Sequence, residues 1–188
     1  MKHRAMKTPS EARLWAWLLA LGCVAAATVS HAQTLTFPTD PASGEFVCPS
    51  TLLVDVTVDG AIGDLRGASL VLGYDPSKIR PVSITAGPLF EAASCSHFLQ
   101  WLDPLNLDGS LEIDAALLGC SVSGPGGIVT IEFEGVGNGV SALTCIDSTL
   151  RNSANQTIPV SCFSRIVKYS CPVGIDSPTW GHVKALFE

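Results

Sequence analysis

The sequence predicts an all-β chain folded as an antiparallel β-sandwich of jelly-roll type, with about nine strands and a short helical tail at the C-terminus. Three observations lead there. Apolar and polar residues alternate in separate runs, Leu52-Val54-Val56-Val58 against Leu53-Asp55-Thr57-Asp59 and again from Ile128 to Glu134. Period two marks a strand with one buried face. Seventeen Gly and twelve Pro break the chain into short segments, as a sandwich with many turns requires. Hydrophobic content is 47% but aromatic content only 7%, which suits many short strands better than long helices.

Residues 1–32 read as an export signal outside the fold. Lys2, Arg4, Lys7 and Arg13 form a basic start, Leu14 to Val29 an apolar run, and Ser30-His31-Ala32 a small-residue site predicting cleavage before Gln33. A permanent membrane span competes, but the run falls short of about 20 residues and ends in that site. Ala20-Leu21-Gly22-Cys23 loosely resembles a lipid-attachment motif, yet the apolar run continues past Cys23 through Val24-Ala25-Ala26-Ala27. Cleavage leaves about 155 residues, one domain with room for a core and no integral span. That portion carries seven Lys and Arg against sixteen Asp and Glu, a net charge of −9. An acidic chain without a basic run is drawn neither to nucleic acid nor to anionic lipid.

Taken in order, residues 33–44 are polar with Pro38 and Pro41 and read as an extended leader. The sandwich is expected over residues 45–172. Glu45 to Cys48 is a short strand, the alternating Leu52–Val58 run is the next, and Gly60 and Gly63-Asp64 punctuate after it. Ala68 to Tyr74 is a long strand ended by Asp75-Pro76-Ser77, where Pro presets φ and Asp bonds its own backbone two residues on. Val82 to Thr85 follows and stops at Gly87-Pro88. Cys95 to Leu102 and Ser110 to Leu118 form a hairpin. In its first strand Phe98 and Gln100 share one face and Leu99 and Trp101 the other, so Trp101 is expected on the core side. Ser121 to Gly127 reads as a loop, Ile128 to Glu134 as a strand, and Gly135 to Gly139 as a turn into Ser141–Ser148. Thr157–Phe163 and Arg165–Ser170 complete the set.

Six cysteines remain after cleavage: Cys48, Cys95, Cys120, Cys145, Cys162 and Cys171. An even number in an exported chain argues for three disulfides, and spacing alone leaves 15 connectivities. If Thr144–Leu150 and Thr157–Phe163 pair across a turn at residues 151–156, Cys145 faces Cys162. The hairpin over residues 104–109 brings Cys95 near Cys120, and elimination leaves Cys48 with Cys171. A metal site competes, but there is no C-x-x-C, and the only histidines left are His97 and His182.

Several of these residues form a pattern that resembles the cohesin domain and its carbohydrate-binding-module relatives. Tyr74-Asp75-Pro76, Ile79, Val82-Ser83-Ile84 and Gly87 match an aromatic-Asp-Pro turn, a second strand and a closing Gly. Further on, Ile113-Asp114-Ala115-Ala116, Gly124-Pro125-Gly126-Gly127, Ile128 to Phe133, and a polar turn at Asn152–Asn155 before Ile158-Pro159-Val160 extend the likeness over residues 45–170. It implies a sandwich that binds a protein partner, dockerin-like by family, in an assembly tied to polysaccharide use. The sequence departs from the family at Arg66-Gly67-Ala68-Ser69, where cohesins carry polar residues that contact dockerin helices, and in its three disulfides.

No catalytic constellation is legible, so no enzyme and no cofactor is expected. Glu112 and Asp114 lie two apart on one strand face, where a glycosidase could hold paired carboxylates, but period two also makes them its solvent side. His97 has no G-x-S-x-G elbow to serve. Asp103, Asn106 and Asp108 lack the spacing and terminal Glu of a calcium loop. Asn155-Gln156-Thr157 is a formal glycosylation acceptor. In the tail, residues 173–188, Trp180, Val183 and Phe187 fall on one face of a short helix. They either dock on the sandwich or serve as a recognition element in W-G-x-x-K-x-x-F. The functional expectation is a secreted, non-catalytic binding module for an extracellular protein partner in a cell-surface assembly. A carbohydrate-binding module that takes polysaccharide is the first alternative, and a structural envelope protein the second.

Overall fold

The computed structural model describes residues 33–102 and 108–171. They form two curled mixed sheets packed face to face as a jelly-roll sandwich. The strands are β1 (Gln33–Thr36), β2 (Thr39–Asp40), β3 (Glu45–Val47), β4 (Thr51–Leu65), β5 (Gly67–Gly73), β6 (Ile79–Ala86), β7 (Ser96–Leu102), β8 (Ser110–Leu118), β9 (Val122–Gly135), β10 (Gly139–Arg151), β11 (Thr157–Ile158), β12 (Val160–Cys162) and β13 (Arg165–Ser170), with one helical turn, α1 (Pro88–Glu91). The first sheet runs β12-β1-β4-β9-β6 with β2 beside β4, and the second runs β3-β13-β10-β5-β8-β7 with β11 beside β10.

Alternation sets the core. Leu52, Val54, Val56 and Val58 of β4 are fully buried while Leu53 is 40% exposed. The same rhythm buries Leu111, Ile113, Ala115 and Leu117 of β8, and Ile131 and Phe133 of β9. The turn after β5 closes as its residues dictate. Ser77 N–H and Oγ donate to Asp75 Oδ1 at 2.9 and 2.6 Å, and Ile79 N–H donates to the Asp75 carbonyl. The two bonds from Ser77 hold the Asp75 carboxyl below its usual range.

Four expectations are corrected. The leader is no leader: β1 pairs with β4 and β2 continues along the same strand, burying Leu35 and Phe37. Gly60 and Gly63 do not end β4, and residues 122–127 are strand rather than loop. The two segments pair with each other, Val58 opposite Gly126 and Leu65 opposite Val122, through register shifts that absorb the glycines. Thr157–Phe163 is not one strand. Only Thr157 and Ile158 pair with β10, and past Pro159 the chain crosses to the other sheet, where β12 lies parallel to β1. A second parallel pair, β3 with β13, makes both sheets mixed.

At one end of the core Tyr169 stacks on Phe46 with centroids 5.2 Å apart, and its hydroxyl donates to the Phe133 carbonyl at 3.2 Å. The ring occupies the space where Gly135 has no side chain, since a Cβ there would lie 2.0 Å from Tyr169 Cδ1. Gly135→Ala is expected to cost about 3 kcal/mol by overpacking, while Gly63→Ala, with nothing within 4 Å of the added methyl, stays within about 0.5 kcal/mol. Urea denaturation of the two variants checks this.

Burial, with a smaller contribution from Glu134, pushes the Tyr169 phenol up from 10.0 to about 12. Between those values the unfolded chain has released a proton that the folded chain still holds, so stability falls as pH rises. Denaturation midpoints measured from pH 9 to 12 are expected to show this loss, and Tyr169→Phe to remove its contribution.

Candidate functional site

The outer face of the second sheet is built by the residues that alternate away from the core. On β5 these are Gly67, Ser69, Val71 and Gly73. They lie opposite Ala116, Asp114, Glu112 and Ser110 of β8 on one side and Arg151, Thr149, Asp147 and Thr144 of β10 on the other. The edge strand β7 adds Phe98, Gln100 and Leu102 opposite Ala116, Asp114 and Glu112. Three rows result: Phe98-Ala116-Gly67-Arg151, Gln100-Asp114-Ser69-Thr149, and Leu102-Glu112-Val71-Asp147.

Small residues in the first row leave the sheet surface sunken. One hollow of about 320 Å³ is lined by Arg66, Gly67, Ala116, Arg151, Asn152 and Asn155. A second, of about 300 Å³, shares Gly67, Ala116 and Arg151 and runs on to Phe98, Asp114 and Thr149. The turn over residues 152–156 forms one wall. Its Ser153 Oγ donates to Asp64 Oδ2 at 2.7 Å, and that bond, with one from Ser121, keeps the Asp64 carboxyl below its ordinary range. Asn155 sits at φ 61, in the left-handed region asparagine tolerates.

Exposed apolar side chains collect on this sheet. Phe98, Leu102 and Leu118 mark the β7 side, while Ile146, Val140, Ile166 and Val47 continue over β10, β13 and β3 at 52–66% exposure. The outer face of the first sheet is more polar: Thr130 Oγ1 donates to Asp55, Ser83 Oγ donates to Glu132, and Arg80 pairs with Glu134, with Leu53, Val82 and, just past β12, Phe163 its exposed apolar side chains.

The six cysteines are joined as Cys48–Cys171, Cys95–Cys120 and Cys145–Cys162. The last links β10 of one sheet to β12 of the other rather than two facing strands of a hairpin. Cys48 and Cys171 follow directly on the parallel partners Val47 and Ser170. Trp101 and Tyr74 are half-buried against the core, Tyr74 edge-on to Phe133, so neither offers a sugar-stacking platform. Glu112 and Asp114 point outward on β8. His97 lies 3.9 Å from Glu91. Trp180, Val183, Phe187 and His182 of the tail, Asp103 and Asn106 of the loop, and the export signal with Cys23 lie outside the described residues. Neither Arg151 nor Phe98 stands out as a surface site from the sequence alone. The signal was present, because Phe98 falls on the strand face opposite Leu99 and Trp101.

No protein-family model matches this sequence, and no curated protein matches it. Solved structures do. The chain superposes on a cohesin module from a Clostridium perfringens family 33 glycoside hydrolase with a TM-score of 0.59 at 15% identity, covering 75% of this chain and 97% of that one. The fold is cohesin-like. The sixth cohesin of Acetivibrio cellulolyticus scaffoldin B, solved in complex with a Cel5 dockerin, gives 0.60 at 16% identity over 74% of this chain and all of the other. A non-cellulosomal cohesin from Archaeoglobus fulgidus gives 0.59 at 14% over 81% and 99%.

Each disulfide of this cohesin-like sandwich closes a different loop, spanning 123, 25 and 17 residues. Loop-closure entropy then ranks their contributions at about 5, 3.5 and 3 kcal/mol. Paired Cys→Ser variants are expected to lose stability in that order under thermal and chemical denaturation, with Cys48/Cys171 the most damaging.

Proposed function

We propose that the chain is a secreted, non-catalytic binding module that engages a protein partner through the outer face of its second sheet. The observation that carries this reading is the distribution of exposed apolar side chains. Seven of them lie on the second sheet among small and polar residues, against Leu53 and Val82 on the first, whose polar groups close on one another. A mixed apolar and polar surface of this kind suits a protein interface. Phe98 is the only aromatic on it among the described residues, so a polysaccharide finds no row of rings on which to stack.

Three supports extend the proposal. Cohesin structures of similar fold have been solved bound to dockerins, so a dockerin-like helical partner is the first class to test. A basic and apolar N-terminal segment and three disulfides suit an extracellular or cell-envelope setting. The link to polysaccharide degradation follows from the resemblance alone.

The test is capture from the medium and envelope of the native host with the full chain, beside a glucan and chitin panel, followed by titration of the captured partner. Ser69→Arg, at the centre of the face, is expected to weaken that partner at least about tenfold. Thr85→Arg, on the outer side of the other sheet, leaves it unchanged. Equal binding by both variants, or retention on glucan or chitin with no protein bound, overturns the proposal.

A further inference from the structure

Arg66 and Arg151 meet at one end of this face. The Arg66 N–H donates to the Arg151 carbonyl at 2.9 Å, and both residues line the same glycine-floored hollow, Arg151 from the outer face and Arg66 from the end of β5. Both guanidinium groups are oriented by backbone carbonyls. Arg66 Nε and Nη1 donate to Leu117 O at 3.4 Å and Ser153 O at 3.3 Å, and Arg151 Nη1 donates to Asn155 O at 3.2 Å. Carbonyls aim a guanidinium without neutralising it, and each group carries five N–H donors. The ion pairs among the described residues are Arg80–Glu134, His97–Glu91 and Lys168–Glu45, and neither arginine takes part in them. The nearest acids are Asp64, which feels Arg66 but is turned onto Ser153, and Asp114, one row along the sheet.

No neighbouring side chain covers the floor. Gly73, on the same strand and the same face, has its missing side chain covered by Ile146, whose Cδ1 lies 3.1 Å from the Cβ position. Gly67 has no such cover. A Cβ there would meet only the Ala115 carbonyl at 3.4 Å and Ala116 Cβ at 3.9 Å, so a larger residue fits and the hollow is kept by Gly67 and Ala116 alone.

We propose that Arg66 and Arg151 form a carboxylate clamp over Gly67 and Ala116 that receives an acidic side chain of the protein partner, the neighbouring Phe98 covering the apolar part of the same segment. The inference rests on the reading of this face as the partner-binding surface. Two oriented guanidinium groups match the planar, two-oxygen geometry of a carboxylate. The hollow opens onto a face bearing Phe98, Leu102 and Leu118, which favours a protein side chain over a uronic acid sugar. Sugar acids carry the same carboxylate and form the other arm of the test.

The full chain, labelled with ¹⁵N, is titrated with an acetylated, amidated peptide Ala-Leu-Glu-Leu-Ala, with its Gln counterpart, and with glucuronate. The Glu peptide is expected to shift the Gly67, Ala116 and Asn152 amides and the arginine Nε signals. The Gln peptide binds at least about tenfold more weakly, and Arg66→Gln with Arg151→Gln abolishes the difference. Gly67→Val, which fills the floor, keeps the spectrum folded and loses the Glu peptide. Equal shifts from the Glu and Gln peptides, or shifts from glucuronate alone, overturn the clamp. With the captured partner in hand the two proposals separate. A partner that tolerates both Arg→Gln changes but not Ser69→Arg removes the clamp and keeps the face. A partner indifferent to Ser69→Arg removes the face, and with it the clamp.

Discussion

The fold depends on two long strands bending around one core. β4 has 15 residues and β9 has 14, and at about 3.3 Å per residue a straight β4 would run close to 50 Å, well beyond an ordinary strand. Register shifts after Val56, Val58 and Ile62 break that line. Each bulge adds twist, and Ile62 and Leu65 are thereby returned to the core after Gly60 has interrupted the alternation. The other strands inherit their places from this bend: β1 and β6 pair along the flanks of β4 and β9, and the second sheet closes over the surface so formed.

Where the chain changes sheets, covalent bonds hold the change. Pro159 has no N–H and cannot continue the ladder, so the pairing with β10 ends at Ile158 and β12 starts in the other layer. Cys145–Cys162 ties the layers together just there. Cys48–Cys171 closes the far end, beside the Tyr169 ring that fills the space left by Gly135. Both disulfides therefore sit where the sheets lose continuous pairing, which explains why a sandwich with a sufficient core still carries them.

The periodic parts of the fold were legible in the sequence, and the irregular parts were not. Leu52 to Val58 and Leu111 to Leu117 each record one buried face, and the Asp75 turn is local chemistry. Gly60, Gly63 and Gly124 to Gly127 carry the same local signal whether they end a strand or bulge within one. Only the pairing of residues 58–65 with 122–126, some 60 positions apart, decides between the two. The crossing after Ile158 was hidden for a related reason, since the disulfide it permits also fits a simple hairpin. Arg151 and Phe98 were invisible as a site because their meeting across Ala116 and Gly67 depends on the order of four strands.

Charge gives the proposed clamp a particular role. The chain carries 17 acidic against 11 basic residues, so its long-range field repels an acidic partner and does nothing to speed the encounter. Beyond about 8 Å at physiological salt that repulsion is screened, and within that distance an incoming acid meets the guanidinium groups of Arg66 and Arg151 directly. An acidic residue is then discriminated at the last step of docking, after apolar contact has been made. Such an arrangement acts on the lifetime of the complex more than on its rate of formation, and it rejects a partner that presents an amide in place of the acid.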